Sequence, residues 1–158
     1  MTKLILAKDE KFFEDYFKIK CLKTNIFYSG FSNPPVREEL EKSFTEKLKS
    51  NKYKLFFLAR QSHVLSYSQI RFINEKTVEM SYASLVTGQG YGSKVVEETI
   101  KFCFENEIDI IILYIAEINI FSIRIAEKNG FTKTGKVELR MLQQLNREIL
   151  FNEWILRK

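Results

Sequence analysis

Gly88, Gly90 and Gly92 alternate in a loop that follows an apolar, strand-like run and opens an amphipathic, helix-like one. Residues without a Cβ let the backbone bend tightly and present successive N–H groups. With the first unpaired donors of the following helix, such N–H groups form a concave anion site of the kind that binds phosphate. The spacing therefore predicts a strand–loop–helix unit built around a phosphate. The rest of the chain has to indicate what that phosphate belongs to.

Around this unit the pattern is mixed. The helix after the loop carries Val95, Val96, Thr99, Phe102 and Cys103 on one face, with Lys94, Glu98, Lys101 and Glu105 opposite. Asp109 leads into a near-continuous apolar run over 110–115, as expected of a strand covered on both sides. Asn119 caps a short helix that stops at Asn129-Gly130. Upstream, residues 2–7 read as a strand, and Asp9 caps a helix through Phe12, Phe13, Tyr16, Phe17 and Cys21. Helical periodicity breaks over 22–35, where Asn25, Ser29-Gly30 and Asn33-Pro34-Pro35 are turn chemistry. Pro35 is placed in the first turn of a second helix carrying Leu40, Phe44 and Leu48. Residues 53–60, 64–72 and 77–85 form an antiparallel meander, and 131–141 with 148–156 close the chain as a second antiparallel pair. The class is α+β (mixed α/β), with one parallel pair around the crossover helix.

Composition bounds the function. At 158 residues, 45% apolar and 28% charged, the chain is expected to be one globular domain, 1–158. No apolar run reaches membrane-spanning length, and residues 1–8 have too short an apolar core for a secretory signal. Cys21 and Cys103 lack metal-ligand spacing, so reduced thiols, no metal and a cytoplasmic location are expected. The net charge of +5 is scattered among acidic residues without a basic block, which argues against nucleic-acid binding.

The segment Gly88-Gln89-Gly90-Tyr91-Gly92-Ser93 resembles the acetyl-CoA pyrophosphate loop of GNAT acyltransferases. The run from Asn119 to Phe131, with Ser122 and Arg124-Ile125-Ala126-Glu127-Lys128, resembles that family's second cofactor helix. Together with Glu79-Met80-Ser81-Tyr82, it looks most like the branch named for ribosomal-protein N-terminal acetyltransferases. The resemblance implies a GNAT-like fold, with a mostly antiparallel central sheet, a splayed parallel pair and about four flanking helices. It also implies transfer of acetyl from acetyl-CoA, the co-substrate, to a primary amine by direct attack. The acceptor would be a small molecule or a peptide, with no nucleic acid or membrane as partner and a homodimer left open.

The same resemblance implies a site. Leu85 and Val86 would pair their backbone with the pantetheine amides, and Gly88, Gln89, Gly90, Tyr91, Gly92 and Ser93 would hold the pyrophosphate. Thr87 stands where the family usually has Gln or Arg, and Ala126 where a tyrosine often serves as acid. Ser122, about one turn earlier on the same face, is either a hydrogen-bond donor near the thiol or a small packing residue. Asn119 is an N-cap, a cofactor ligand or both. Glu79 is the candidate base, directly or through water, against the alternative of an exposed strand glutamate paired with a neighbouring lysine. Tyr82 and Tyr114 are further proton-handling candidates or structural tyrosines. Tyr28, Ser29 and Tyr67 would wall the acceptor, while His63 reads as solvated and Cys103 as a core thiol.

Two other functions fit parts of the pattern. A non-catalytic acyl-CoA-binding module would keep the loop and lack an acid at Ala126. A dinucleotide-binding oxidoreductase fits poorly, because the loop is G-x-G-x-G and follows an antiparallel meander.

Overall fold

The computed structural model describes residues 1–158. Strand β1 (Lys3–Leu6) leads through a 3-10 turn (Glu10–Phe12) into helices α1 (Phe13–Lys20), α2 (Lys23–Tyr28) and α3 (Arg37–Lys49). Strands β2 (Tyr53–Arg60), β3 (His63–Phe72) and β4 (Thr77–Ser84) follow as a meander. Helix α4 (Tyr91–Glu105), strand β5 (Ile110–Ala116) and helix α5 (Ile120–Lys128) precede the closing hairpin of β6 (Thr132–Leu142) and β7 (Arg147–Arg157). All seven strands lie in one sheet, ordered β1-β2-β3-β4-β5-β7-β6. Only β4 and β5 run parallel.

Most predicted elements are present within a residue or two of their expected bounds. Asp9 caps the 3-10 turn that precedes α1, its carboxylate accepting from Lys11 N at 3.0 Å. Three expectations need correction. The segment 22–35 contains a helix, α2, which has no side-chain cap. It is only six residues long, and its Lys-Thr-Asn first turn masks any apolar period. Pro35 lies outside α3, whose N-cap is Val36, so it ends the preceding loop rather than opening the helix. Strand β5 is not covered equally on both faces: Ile111, Leu113 and Ile115 are buried, while Ile110, Ile112 and Tyr114 are half-buried. Five α-helices flank the sheet.

Two apolar layers hold the sheet between them. On one face, α4 and α5 bury Val95, Val96, Cys103 and Ala126 against Phe56, Leu58, Ile70, Val78, Ile111 and Leu113. On the other, α1 and α3 pack Phe13, Tyr16, Ile19 and Phe44 against Leu55, Phe57 and Tyr67. The second layer is aromatic: Phe12 stacks on Phe57 with ring centroids 4.7 Å apart, and Tyr16 lies 4.9 Å from Phe44. Such offset and tilted contacts add to the burial term. Beyond β4 this face is not roofed by α1 and α3. The half-buried side of β5 therefore lies open beside α2 and the β6–β7 hairpin, where Phe27, Tyr28 and Tyr114 join a small cluster with Leu142, Ile149 and Phe151.

Candidate active site

The glycine loop forms an open cradle. Gly88 and Gly90 have φ of +75° and +80°, and a Cβ at either would meet no atom within 4 Å. Such backbone favours glycine, and the empty space around it is available to a ligand. Gly90 is the N-cap of α4, with no side-chain cap and no acidic residue in the first turn. The helix's first internal bond runs from Lys94 N to Gly90 O, so the N–H groups of Tyr91, Gly92 and Ser93 precede the ladder. An uncapped, non-acidic helix start carries partial positive charge suited to a phosphate. Gly92 serves packing instead, since a Cβ there would lie 3.1 Å from Ser84 Oγ and 3.3 Å from Ile125 Cδ1. It is the contact glycine that lets α4 approach β4 and α5.

Side-chain bonds pin the start and the middle of the same helix to the sheet. Ser66 Oγ donates to Tyr91 O at 3.0 Å, and the buried hydroxyls of Ser68 and Thr99 meet at 2.6 Å. Arg60 Nη1 donates to Tyr91 Oη at 3.2 Å, and its guanidinium lies 5.6 Å from that ring's centroid. A cation thus stands at the first residue of α4. Sequence reasoning missed it because β2 and α4 meet only through the fold.

Beside the cradle the sheet opens. The parallel pairing of β4 with β5 covers only Thr77↔Ile110, Val78↔Ile111 and Glu79↔Ile112. Both strands then continue, β4 to Ser84 and β5 to Ala116, without pairing to each other. Leu85 donates its N–H to Leu65 O at 2.9 Å, on the β3 side. The Leu85 donor is therefore engaged within the sheet. Because backbone groups alternate sides along a strand, the edge facing the opening carries the polar groups of Tyr82 and Ser84, and Ser84 O accepts from Asn25 Nδ2 at 3.4 Å. Val86 lies exposed just beyond the strand.

Helix α5 borders the opening. Asn119 is its N-cap, and Oδ1 accepts from Ser122 N at 3.3 Å. Ser122 is half-buried in the first turn, next to the Tyr82 hydroxyl across the gap between α5 and β4. Tyr82 Oη is buried and has no hydrogen-bond partner, and the Ser122 hydroxyl is its polar neighbour. Burial pushes the Tyr82 hydroxyl up to about 12, against a smaller lowering by Ser122. Ala126 is wholly buried among α4, β5 and β7 residues, so its position serves packing.

The other face of the opening carries side chains. Glu79 is half-buried and its carboxylate lies 3.3 Å from Arg71 Nη2 on β3. Glu79 is thus half-buried and paired with an arginine, where the alternative expected an exposed glutamate paired with a lysine. Tyr114 Oη donates to Glu153 Oε2 at 2.6 Å, and Thr134 Oγ1 donates to Glu153 Oε1 at 2.9 Å. Burial and the Glu153 carboxylate push the Tyr114 hydroxyl up, and Glu138 and Glu79 add to the shift. The Tyr114 hydroxyl in turn holds Glu153 below the usual carboxylate range. Each acid has a cation nearby: Arg71 for Glu79, Arg140 for Glu138 at 2.9 Å, and Lys136 for Glu153 at 3.8 Å.

Of the expected acceptor residues, Tyr28 is half-buried beside Tyr114, and Ser29 closes α2. Tyr67 is 2% exposed beneath α1 and packs edge-on to Tyr16, so it supports this wall from below. The loop after α2 is fixed on the hairpin turn: Gln143 N donates to Gly30 O at 3.1 Å, and Gln144 Nε2 to Phe31 O at 3.0 Å. Deeper on this face, Lys47 Nζ donates to Gln69 Oε1 at 2.9 Å. Burial, then the Lys20 charge, lowers the Lys47 ammonium to about 8. Neither Glu153 nor Lys47 was singled out in the sequence, since only register and helix packing bring them here.

The arrangement fits a phosphorylated, extended ligand. The cradle offers backbone donors, and the opened β4 edge offers backbone groups that are not paired to β5. A family model described as an acetyltransferase (GNAT) domain matches residues 7–132. No curated protein sequence matches the chain. Among solved structures, a spermidine N-acetyltransferase from Vibrio cholerae in complex with CoA and spermine superposes with a TM-score of 0.84. The identity is 17%, over 98% of this chain and 95% of that one. A ribosomal-protein-alanine N-acetyltransferase from Brucella melitensis gives 0.82 at 16% identity, covering 99% of each chain. A Salmonella typhimurium protein solved with its cofactor acetyl-CoA gives 0.76 at 16%, over 99% of this chain and 94% of that one. At these identities the likeness establishes a shared fold.

Proposed function

The chain belongs to the GNAT acetyltransferase family, and we propose that it acts as a single-domain enzyme moving an acetyl group from acetyl-CoA to a primary amine by direct attack. The observation that carries the reading is the end of β4–β5 pairing at Glu79↔Ile112, beside the open cradle at Gly88 and Gly90. Backbone N–H groups of Gly88 to Ser93 hold the pyrophosphate, with Arg60 and Tyr91 at the start of α4. The β4 edge at Tyr82, with Ser84 N beside it, pairs with the pantetheine amides. When bound, acetyl-CoA supplies an activated acyl carbon and a thiolate leaving group.

The protein's own part is to orient and to manage charge. Holding the amine against the acyl carbon converts a bimolecular encounter into an intramolecular one. Ser122, fixed by the Asn119 cap, provides a hydroxyl toward the departing sulfur; it stabilises charge without giving up its proton. Glu79 receives the amine's proton, directly or through water, after exchanging Arg71 for the incoming ammonium.

The acceptor enters from the face of Tyr28, Ser29, Glu79, Tyr114 and Glu153. Carboxylates with cation partners form a polar wall rather than a bare negative patch, which suits an amine presented on a small molecule or a peptide. The V. cholerae relative's spermidine and the B. melitensis relative's ribosomal-protein alanine both fall within that class. Exposed Val137, Leu139 and Met141 on edge strand β6 support a homodimer, to be read from sedimentation. Two free cysteines support a cytoplasmic location.

The test is a panel of primary amines with acetyl-CoA, following thiol release. Amine-dependent release is the expected result. Tight cofactor binding with no release on polyamines, amino sugars, aminoglycosides and N-terminal peptides would favour the non-catalytic module.

A further inference from the structure

We infer that Tyr82 is a positioning residue for Ser122, acting through a directed pair of hydrogen bonds. This rests on the acetyl-CoA reading above and assigns a role to a strand residue on the wall opposite α5. Tyr82 lies in β4 beyond the last β4–β5 pair at Glu79↔Ile112, where the sheet opens. The residue is half-buried along the opening, but Oη is sealed from water and has no partner. A buried hydroxyl in this state is costly, on the order of a lost hydrogen bond. The polar group beside it is the Ser122 hydroxyl.

The direction of the pair follows from what each oxygen has available. Tyr82 Oη has no other acceptor for its proton, so the phenol is the donor and Ser122 Oγ the acceptor. Ser122 is held at its backbone by the Asn119 cap, leaving its side chain free to turn. Once Oγ accepts from Tyr82, its own hydrogen is free to point away into the opening. There it donates to the sulfur of the bound thioester or thiol. Burial keeps Tyr82 protonated across the physiological range, so the donor does not reverse. No proton leaves either hydroxyl: the amine nitrogen bonds to the acyl carbon, the C–S bond breaks, and its electron pair on sulfur is met by the Ser122 hydrogen bond. The pair thus supplies polarisation in a site where Ala126 has no hydroxyl to offer.

The test compares calorimetric binding of CoA and desulfo-CoA, which differ only at the sulfur, and so needs no acceptor. Wild-type protein is expected to prefer CoA by about fivefold, one hydrogen bond's worth. Tyr82→Phe and Ser122→Ala should each abolish most of that preference, and the double variant should lose no more than either alone. Affinity for desulfo-CoA should stay within about twofold throughout, since the variants change only the groups that face the sulfur. A Tyr82→Phe protein that keeps the full preference overturns the inference, as does one that loses it additively with Ser122→Ala. Equal binding of both ligands by wild type overturns it while leaving the acetyl-CoA reading standing. Binding of neither would remove both.

Discussion

On the α4 and α5 side of the opened sheet, the groups offered to a ligand belong mostly to the backbone: N–H groups around Gly88 and Gly90, and the edge of β4 that β5 leaves unpaired beyond Glu79. On the other side they are side chains: Glu79, Tyr114, Glu153 and Tyr28, gathered from two strand ends, a hairpin and a short helix. A backbone site needs only the right conformation, which glycines and a helix start specify locally. A side-chain site needs register and packing between distant segments. The first can be shared by enzymes with unrelated acceptors, while the second is the side proposed to choose the amine.

The largest effect that would break this contrast is at Gly90. Gly90→Glu should weaken acetyl-CoA binding by more than about a hundredfold, by placing a carboxylate where phosphate sits. The fold should survive, at a cost of about 1 kcal/mol for a non-glycine residue at positive φ. Gly92→Val should do the reverse. Its side chain meets Ser84 and Ile125, so the expected loss is about 1–3 kcal/mol of stability in denaturant unfolding. If Gly92→Val folds normally and only binding falls, the two glycines do the same job and the distinction fails.

Next in size is Ser122→Ala. Turnover is expected to fall about tenfold with a smaller change in cofactor affinity, because the hydrogen bond strengthens as charge develops on sulfur. Equal losses in both would make Ser122 a binding contact only.

The smallest effect sharpens the acceptor side. Glu153 is held below its ordinary range in the folded protein, so the stability it contributes is present above the unfolded carboxylate range. That contribution is lost as pH falls through the folded value. Tyr114→Phe removes the hydroxyl that causes the shift, and acid unfolding should become less steep below about pH 4.3, the ordinary glutamate value. An unchanged acid profile would detach Tyr114 from Glu153.

What could be read in the sequence divides along the same line. The loop, α4, the meander and Asn119 as a cap all come from local chemistry, and each was visible as periodicity, glycine spacing or a capping residue. Helix α2 was not, because a six-residue helix with a polar, uncapped first turn leaves no period to detect. Leu85 was placed on the open edge, but the β3–β4 register, fixed by the hairpin, turns its N–H to Leu65. The pairings of Tyr114 with Glu153 and Arg60 with Tyr91, and the approach of Tyr82 to Ser122, join residues far apart in the chain. Nothing in the local pattern around any of them reports the partner.

The central claim is that acetyl-CoA binds at the glycine cradle beside the opened strands. Thermal unfolding with saturating acetyl-CoA, and separately with NADH, tests it most directly. At about a hundred times the dissociation constant, binding to the folded state alone should add roughly 2.7 kcal/mol and raise the midpoint by several degrees. The account predicts that rise with acetyl-CoA, none with NADH, and none for Gly90→Glu. An unchanged midpoint for wild type with acetyl-CoA, or an equal rise in Gly90→Glu, would contradict it.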